Sequence, residues 1–533
     1  MRNQPMFLAA VVLAGLLTAS PALAQQHTGH EKLGQVTFAN TCSPAVQAEL
    51  TRAVALLHSF WWSATVKAFT EVAQKDPSCG IAFWGVAMGV LENPFGWPPT
   101  PKMLSDGAAA VARARAAGAK SQRELDYIAA IEVFYKDYDK VEHRPRAVAY
   151  EKAMEQLSAR YPDDREAAIF YALALNATAQ AGDKAYSQQL KAAGILEAVF
   201  REQPDHPGAA HYLIHSYDYP PIAEKGLDAA RRYATIAPAA PHAQHMPSHI
   251  FTRRGYWEDS IRSNLASAAA ADSDFDRFHA WDYLAYGYLQ LGQDRLARGV
   301  LDQILSVEKP NVLNFATAFA LAAIPSRYAL ERGQWAESGV LALKPGDFPW
   351  ARFPQAEAIL VFSRGLGAAR NGNLAQARDD QARLAALRDG LTAAKIGYWA
   401  DQVDIQRLVV AGWIARGEGR NDDAVQLIRA AADREDATEK HPVTPGSIVP
   451  AREALAELLL DLGRPAEALR EFEASQQKEP NRLRGYAGAA RAAELSGDAA
   501  KAKSHYTMLV TLTAKADSER PEIKRAKEFL AKP

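Results

Sequence analysis

Cysteine is almost absent from this chain: Cys42 and Cys79 are the only two in 533 residues. A surplus of basic charge is missing too, with 61 Lys and Arg against 62 Asp and Glu. That balance leaves no electrostatic footprint for nucleic acid and no polybasic patch for a membrane surface. Past the first two dozen residues no apolar run is long enough to cross a bilayer. Alternating apolar–polar strands are missing, and β-branched runs are few. Several chemical signatures are missing as well. There is no phosphate loop, no dinucleotide-binding glycine pattern in a βαβ context, and no nucleophile elbow. His211 and His215 form an HxxxH pair, but the residues between them are Tyr212, Leu213 and Ile214. The glutamate that makes HExxH a hydrolase helix is therefore lacking. Glu202 and Glu258 serve as a general base only if the fold brings them close. A metalloenzyme with an open coordination position thus ranks behind a binding protein.

What is present begins with an address. Arg2 precedes an apolar core at residues 6–17, and Ala22-Leu23-Ala24 is a small-residue cleavage pattern. Residues 1–24 read as a secretory signal, too short for the ~20 residues of a membrane anchor. The expectation is a protein cut after Ala24, without a membrane span, most simply in a bacterial periplasm. In an oxidising compartment Cys42 and Cys79 read as a disulfide, with two buried thiols as the alternative.

Apolar residues recur at helical spacing almost throughout, punctuated by Gly, Asp-Pro or Asn-Gly. Residues 448–480, IVPAREALAELLLDLGRPAEALREFEASQQKEP, give a helix, a turn at Gly463, a second helix with Ala468 and Phe472, and a closing Pro480. Gly497, Ala502 and Tyr506 repeat the pattern one unit on. These units resemble tetratricopeptide repeats. Gly255, Gly292, Gly333, Gly372 and Gly419 mark further turns, at a spacing that stretches in the middle of the chain. Longer helices or inserted loops must account for the stretch. The resemblance implies an all-α, right-handed α-solenoid superhelix of helix-turn-helix repeats. The first helices would line a concave groove for a protein or peptide partner. We divide the chain into an N-terminal arm at 25–44, a repeat array at 45–515 and a C-terminal capping helix at 516–533. Residues 91–105 carry too much proline for a helix and read as a loop packed through Phe95 and Trp97. Residues 436–450 form a second Pro/Gly-rich loop, either functional or a surface insertion. The strings HSFWW and PHAQHMPSHIFTRRGYWEDSI, after a secreted start, resemble a group of bacterial tetratricopeptide proteins. That resemblance implies fold and address and leaves the chemistry open.

Histidine is concentrated. Seven of the thirteen lie between residues 206 and 279. His242, His245 and His249 stand at i, i+3 and i+7, on one face of a helix. His279, Asp282 and Tyr286 take the same offsets one unit later; Gly208, His211 and His215 take them one unit earlier. The apolar packing positions fall elsewhere, at Leu213, Ile214 and Tyr217 for example, which puts the stripe off the core seam. His211 with His215, and His245 with His249, are the i, i+4 pairs by which one helix offers two imidazoles to one metal. With His242, and with His279 or Asp282 beyond, they could converge on one or two ions. Nitrogen and carboxylate donors without Cys suit a transition metal, Zn, Cu, Ni or Fe, and disfavour Ca or Mg. The competing reading is a polar groove for a peptide or anion, with Arg253 as a donor and His58, Asp218 and Tyr286 along its wall. Asp218 reads as a turn residue, or as a carboxylate holding the second nitrogen of a ligand histidine. His206 reads as structural. His58, beside Phe60, Trp61 and Trp62, reads as part of an aromatic cluster before it reads as a ligand.

Overall fold

The computed structural model describes residues 31–92, 98–180 and 182–532. The signal at 1–24, His27 and His30 of the arm, and Phe95 and Trp97 lie outside the described residues. Among the described residues, every regular element is an α-helix or a short 3₁₀ turn. None of the helices is long and apolar enough to cross a membrane.

The helices pair as the sequence pattern demands. Ala451–Asp461 packs with Pro465–Lys478, and Leu483–Ser496 with Ala499–Leu512. Ala468, Phe472, Ala502 and Tyr506, the recurring small and aromatic positions, are fully buried between them. The chain reverses between paired helices at Gly463 (φ 70°) and Gly497 (φ 80°), in the left-handed region that side chains disfavour. Gly255, Gly292, Gly333, Gly372 and Gly419 take the same conformation. Neither partner of a pair can bury its apolar face alone, so stacking creates the core and the result is an α-solenoid. Lengthened helices at Leu374–Ala393 and Gly397–Gly417 widen the step from Gly372 to Gly419, and the non-helical stretch between Asp436 and Ala451 widens the next.

The arm has no regular secondary structure from residue 31 to 43. Leu33 and Phe38 are buried, and the Gln35 amide donates to the Asp205 carbonyl at 2.9 Å. Its end is fixed by a Cys42–Cys79 disulfide. The C-terminal helix spans Pro521–Leu530 and buries Ile523 and Ala526. One expectation fails: residues 101–105 are helical, because Pro101 starts the Pro101–Ala117 helix. Proline is tolerated there, where its missing N–H costs nothing.

The apolar core runs in two stretches, one from Leu33 to Phe251 and the other from Trp257 to Ala526. The histidine-rich segment lies where the first gives way to the second.

Candidate metal centre

Four helices supply the histidines. His211 and His215 come from Pro207–Tyr217, and His279 from Asp274–Gln290. His242, His245 and His249 do not lie on one continuous helix. Pro247 divides them between Pro241–His245 and Pro247–Arg253, with Met246 as the joint. The stripe divides into two groups, but not at that break: His242 and His245 share a helix and face different partners. His242 joins His211 and His215, while His245 and His249 join His279.

In the first group, His211 Nε2 is 3.2 Å from His215 Nε2 and 3.2 Å from His242 Nε2. In the second, His245 Nε2 and His249 Nε2 are 3.0 Å apart. His279 packs its ring on His245, 4.3 Å between centroids. Two nitrogens at ~2.0–2.1 Å from one tetrahedral ion would stand about 3.3 Å apart. The spacings are those of ligand pairs.

The far nitrogens decide what the near ones carry. His211 Nδ1 donates to the His58 carbonyl at 2.7 Å. His245 Nδ1 donates to Asn264 Oδ1 at 2.7 Å, and the Asn264 amide is held in that sense by its own donation to the Ser260 carbonyl. His249 Nδ1 donates to Asp218 Oδ2 at 2.9 Å. A neutral imidazole has one proton. With it on Nδ1, the Nε2 atoms of His211, His245 and His249 are bare lone pairs. His245 and His249 therefore point two lone pairs at each other, an arrangement that repels unless a cation or a hydrogen-bond donor lies between them.

All six rings are held neutral. His211, His215, His242, His245 and His279 sit well below the ordinary imidazole value, through burial first and the charge of neighbouring histidines second. His249 is lowered by burial and partly restored by Asp218. The stripe is thus not on an open groove wall. Five of the six are buried, and only His242 is partly exposed.

Around the two histidine groups stands a layer that fixes them. Burial alone would raise the Asp218 carboxyl, but Lys440, Arg253 and the His249 hydrogen bond outweigh it and keep it ionised. Arg253 Nε donates to Asp218 Oδ1 at 2.9 Å, so its guanidinium closes the site rather than facing a peptide. Lys440 Nζ donates to Asp218 Oδ2 at 2.8 Å, from the loop between Asp436 and Ala451. That loop is therefore no surface insertion. Its Thr444, Gly446 and Ser447 receive Arg327, and its Thr444 carbonyl accepts from Tyr283. On the other side, Glu166 accepts from His58 Nε2 at 2.8 Å and from His206 Nε2 at 3.0 Å. His58 Nδ1 faces the Tyr212 hydroxyl, and His206 Nδ1 caps the Ala209 amide. All four of those nitrogens are committed, so His58 and His206 are supports. Phe60, at φ 51°, is a non-glycine residue in the left-handed region, and its ring lies 4.4 Å from that of His211. Strain of this kind persists where surrounding structure imposes it.

Two expected site residues lie elsewhere. Asp282 is outside both groups: its Oδ1 accepts from Arg327 Nε at 3.0 Å in the interior. The carboxylate needs a cation once it is buried, and Arg327 supplies one. Tyr286 lines no groove. It is fully buried, its ring under the guanidinium groups of Arg327 and Arg482 and its hydroxyl bonded to Arg482. Sequence reasoning missed Phe60, Glu166, Asn264, Tyr283 and Lys440 as site residues. Of these, Lys440 carried a signal in its place in the Pro/Gly-rich loop, and Phe60 in the aromatic string after His58.

No known family matches the sequence, and no curated protein does. Similar solved structures include the tetratricopeptide domain of P58(IPK), 12% identical over 91% of this chain and 98% of that one, at a TM-score of 0.20. The Cut9–Hcn1 hetero-tetramer of the APC/C is 10% identical over 91% and 95%, at 0.27. Ypp1 is 9% identical over 93% and 79%, at 0.44.

Proposed function

We propose that this chain is a transition-metal-binding solenoid in which each three-histidine group holds one ion. The observation that carries the reading is the 3.0 Å approach of His245 Nε2 to His249 Nε2, with both protons held on the opposite nitrogens by Asn264 and Asp218. A buried pair of opposed lone pairs wants a cation, and imidazole nitrogen suits Zn, Cu, Ni or Fe. Three protein ligands per ion leave coordination positions open, as in sites that bind or exchange a further ligand. The solenoid's part is to bury the rings and to hold each one from behind. A periplasmic address is part of the proposal. It is supported by the Cys42–Cys79 disulfide, which belongs in an oxidising compartment, together with the N-terminal sequence pattern.

Elemental analysis of the purified full chain tests this, beside a His245→Ala/His249→Ala variant. We expect stoichiometric metal in the parent and loss of one ion per chain in the variant. No metal in either protein, after exposure to each of the four ions, overturns the reading. It would leave a metal-free scaffold for a protein or peptide.

A further inference from the structure

The two histidine groups are neighbours. His215 of the first and His249 of the second have ring centroids 6.0 Å apart, and His242 and His245 are 6.1 Å apart. His242 and His245 are separated by only three positions in the chain. Ions bound by the two groups would therefore share one buried space, with open positions facing it.

The charge of that space is constrained. As metal ligands the six imidazoles are neutral donors. The nearby carboxylates are already committed: Asp218 to Arg253 and Lys440, Asp282 to Arg327, and Glu166 to His58 and His206. Among the described residues, neither histidine group includes a carboxylate ligand to offset the metal charge. Burying an ion costs in proportion to the square of its charge, so two monovalent ions are far cheaper here than two divalent ones. Among metals suited to imidazole, copper has an accessible monovalent state, and divalent copper also binds nitrogen most tightly of the series. Divalent ions become acceptable only if an added anion sits between them.

Size is constrained as well. Phe60 and Tyr233 pack on His211, and Tyr283 packs on His245, His249 and His279. With only His242 partly exposed, the shared space suits a ligand of a few atoms.

Resting on the metal reading above, we propose that the six histidines form one coupled dicopper centre that takes up dioxygen between its ions. Each Cu(I) gives one electron. Dioxygen accepts both and becomes a peroxide dianion bridging two Cu(II) ions. No proton or outside reductant enters, and release reverses the transfer. The balance fits the site: two positive charges before uptake, and four positive with two negative after it.

The test is anaerobic loading of the full chain with Cu(I), removal of free metal, then admission of air with copper analysis, absorption and electron paramagnetic resonance. We expect two copper ions per chain, a new charge-transfer absorption that disappears when oxygen is removed, and almost no paramagnetic signal, because bridged Cu(II) spins cancel. His279→Ala should lose one copper and leave the other visible as isolated Cu(II) after oxidation. A spin count equal to the copper content shows independent ions and overturns the proposal, while metal binding itself survives. Air that changes neither absorption nor signal overturns oxygen uptake. Protein that binds zinc but no copper also overturns the proposal, and protein that binds no metal removes the reading beneath it.

Discussion

Lys440 places its Nζ 2.8 Å from Asp218 Oδ2, across 222 residues of sequence. The same oxygen accepts from His249 Nδ1 at 2.9 Å. One carboxylate thus joins a loop late in the chain to a histidine that faces the candidate centre. It keeps the His249 proton on Nδ1, the side away from the candidate centre.

That relationship gives the first prediction. In Asp218→Asn, the charge that fixes the His249 tautomer is gone, and Arg253 and Lys440 lose their shared partner. Losing a partner behind a ligand histidine typically costs 10–100-fold in metal affinity, and we expect a fall of about that size. Competition titration against a chelator measures it. Unchanged affinity in a folded variant would show that His249 is not a ligand.

Lys440 predicts a pH dependence. Burial lowers its ammonium from the ordinary 10.5 to about 8, against the pull of Asp218. The unfolded chain therefore holds this proton more tightly. Between pH 8 and 10.5 it carries more protons than the folded chain, so folded stability rises with pH across that window. The rise is up to roughly 3 kcal/mol. The unfolding free energy of metal-free protein, stepped through this range, should climb, and the climb should be absent in Lys440→Met. Identical slopes in the two proteins would contradict the assignment.

How much of this was legible depended on whether a feature is local. Turn glycines declare themselves because a left-handed residue at a helix end excludes most side chains, and Gly463 and Gly497 were found one repeat apart for that reason. The i, i+4 pairs were legible because helix geometry fixes their spacing. His242 and His245 share one short helix, yet which ring meets His211 and which meets His249 depends on the packing of the neighbouring helices. Asp282 had the right offset, but its partner Arg327 lies on the Phe315–Glu331 helix and no local rule names it. Gly208 stands at the repeat position that holds His242 and His279 in later units. A Cβ there would lie 2.4 Å from His58 Nδ1, so the missing ligand marks where a supporting ring sits.

Arg482 predicts a cost to stability away from the site. Its guanidinium is fully buried and donates to Glu453 at 2.7 Å and to Glu331 at 2.8 Å. Arg482→Met strands two interior carboxylates, and breaking such a network typically costs 3–5 kcal/mol. Urea denaturation should show a loss in that range. A loss below about 1 kcal/mol would place those carboxylates in contact with water.

The disulfide predicts a cost in the N-terminal part. It closes a loop of 37 residues, and the loop-closure relation gives about 4 kcal/mol of unfolded-chain entropy. Cys42→Ser/Cys79→Ser should lower stability by an amount of that order, with the arm at 31–43 exchanging its amide protons first. An arm that stays protected would show that Leu33, Phe38 and the Gln35 hydrogen bond hold it unaided.

The most direct test of the central claim is X-ray absorption fine structure on metal-loaded protein. The account predicts about three nitrogen donors per ion, at the ~2.0–2.1 Å of a Zn–N bond when zinc is loaded, with the outer-shell scattering of imidazole rings. A first shell made only of oxygen, or a spectrum without imidazole scattering, would contradict it.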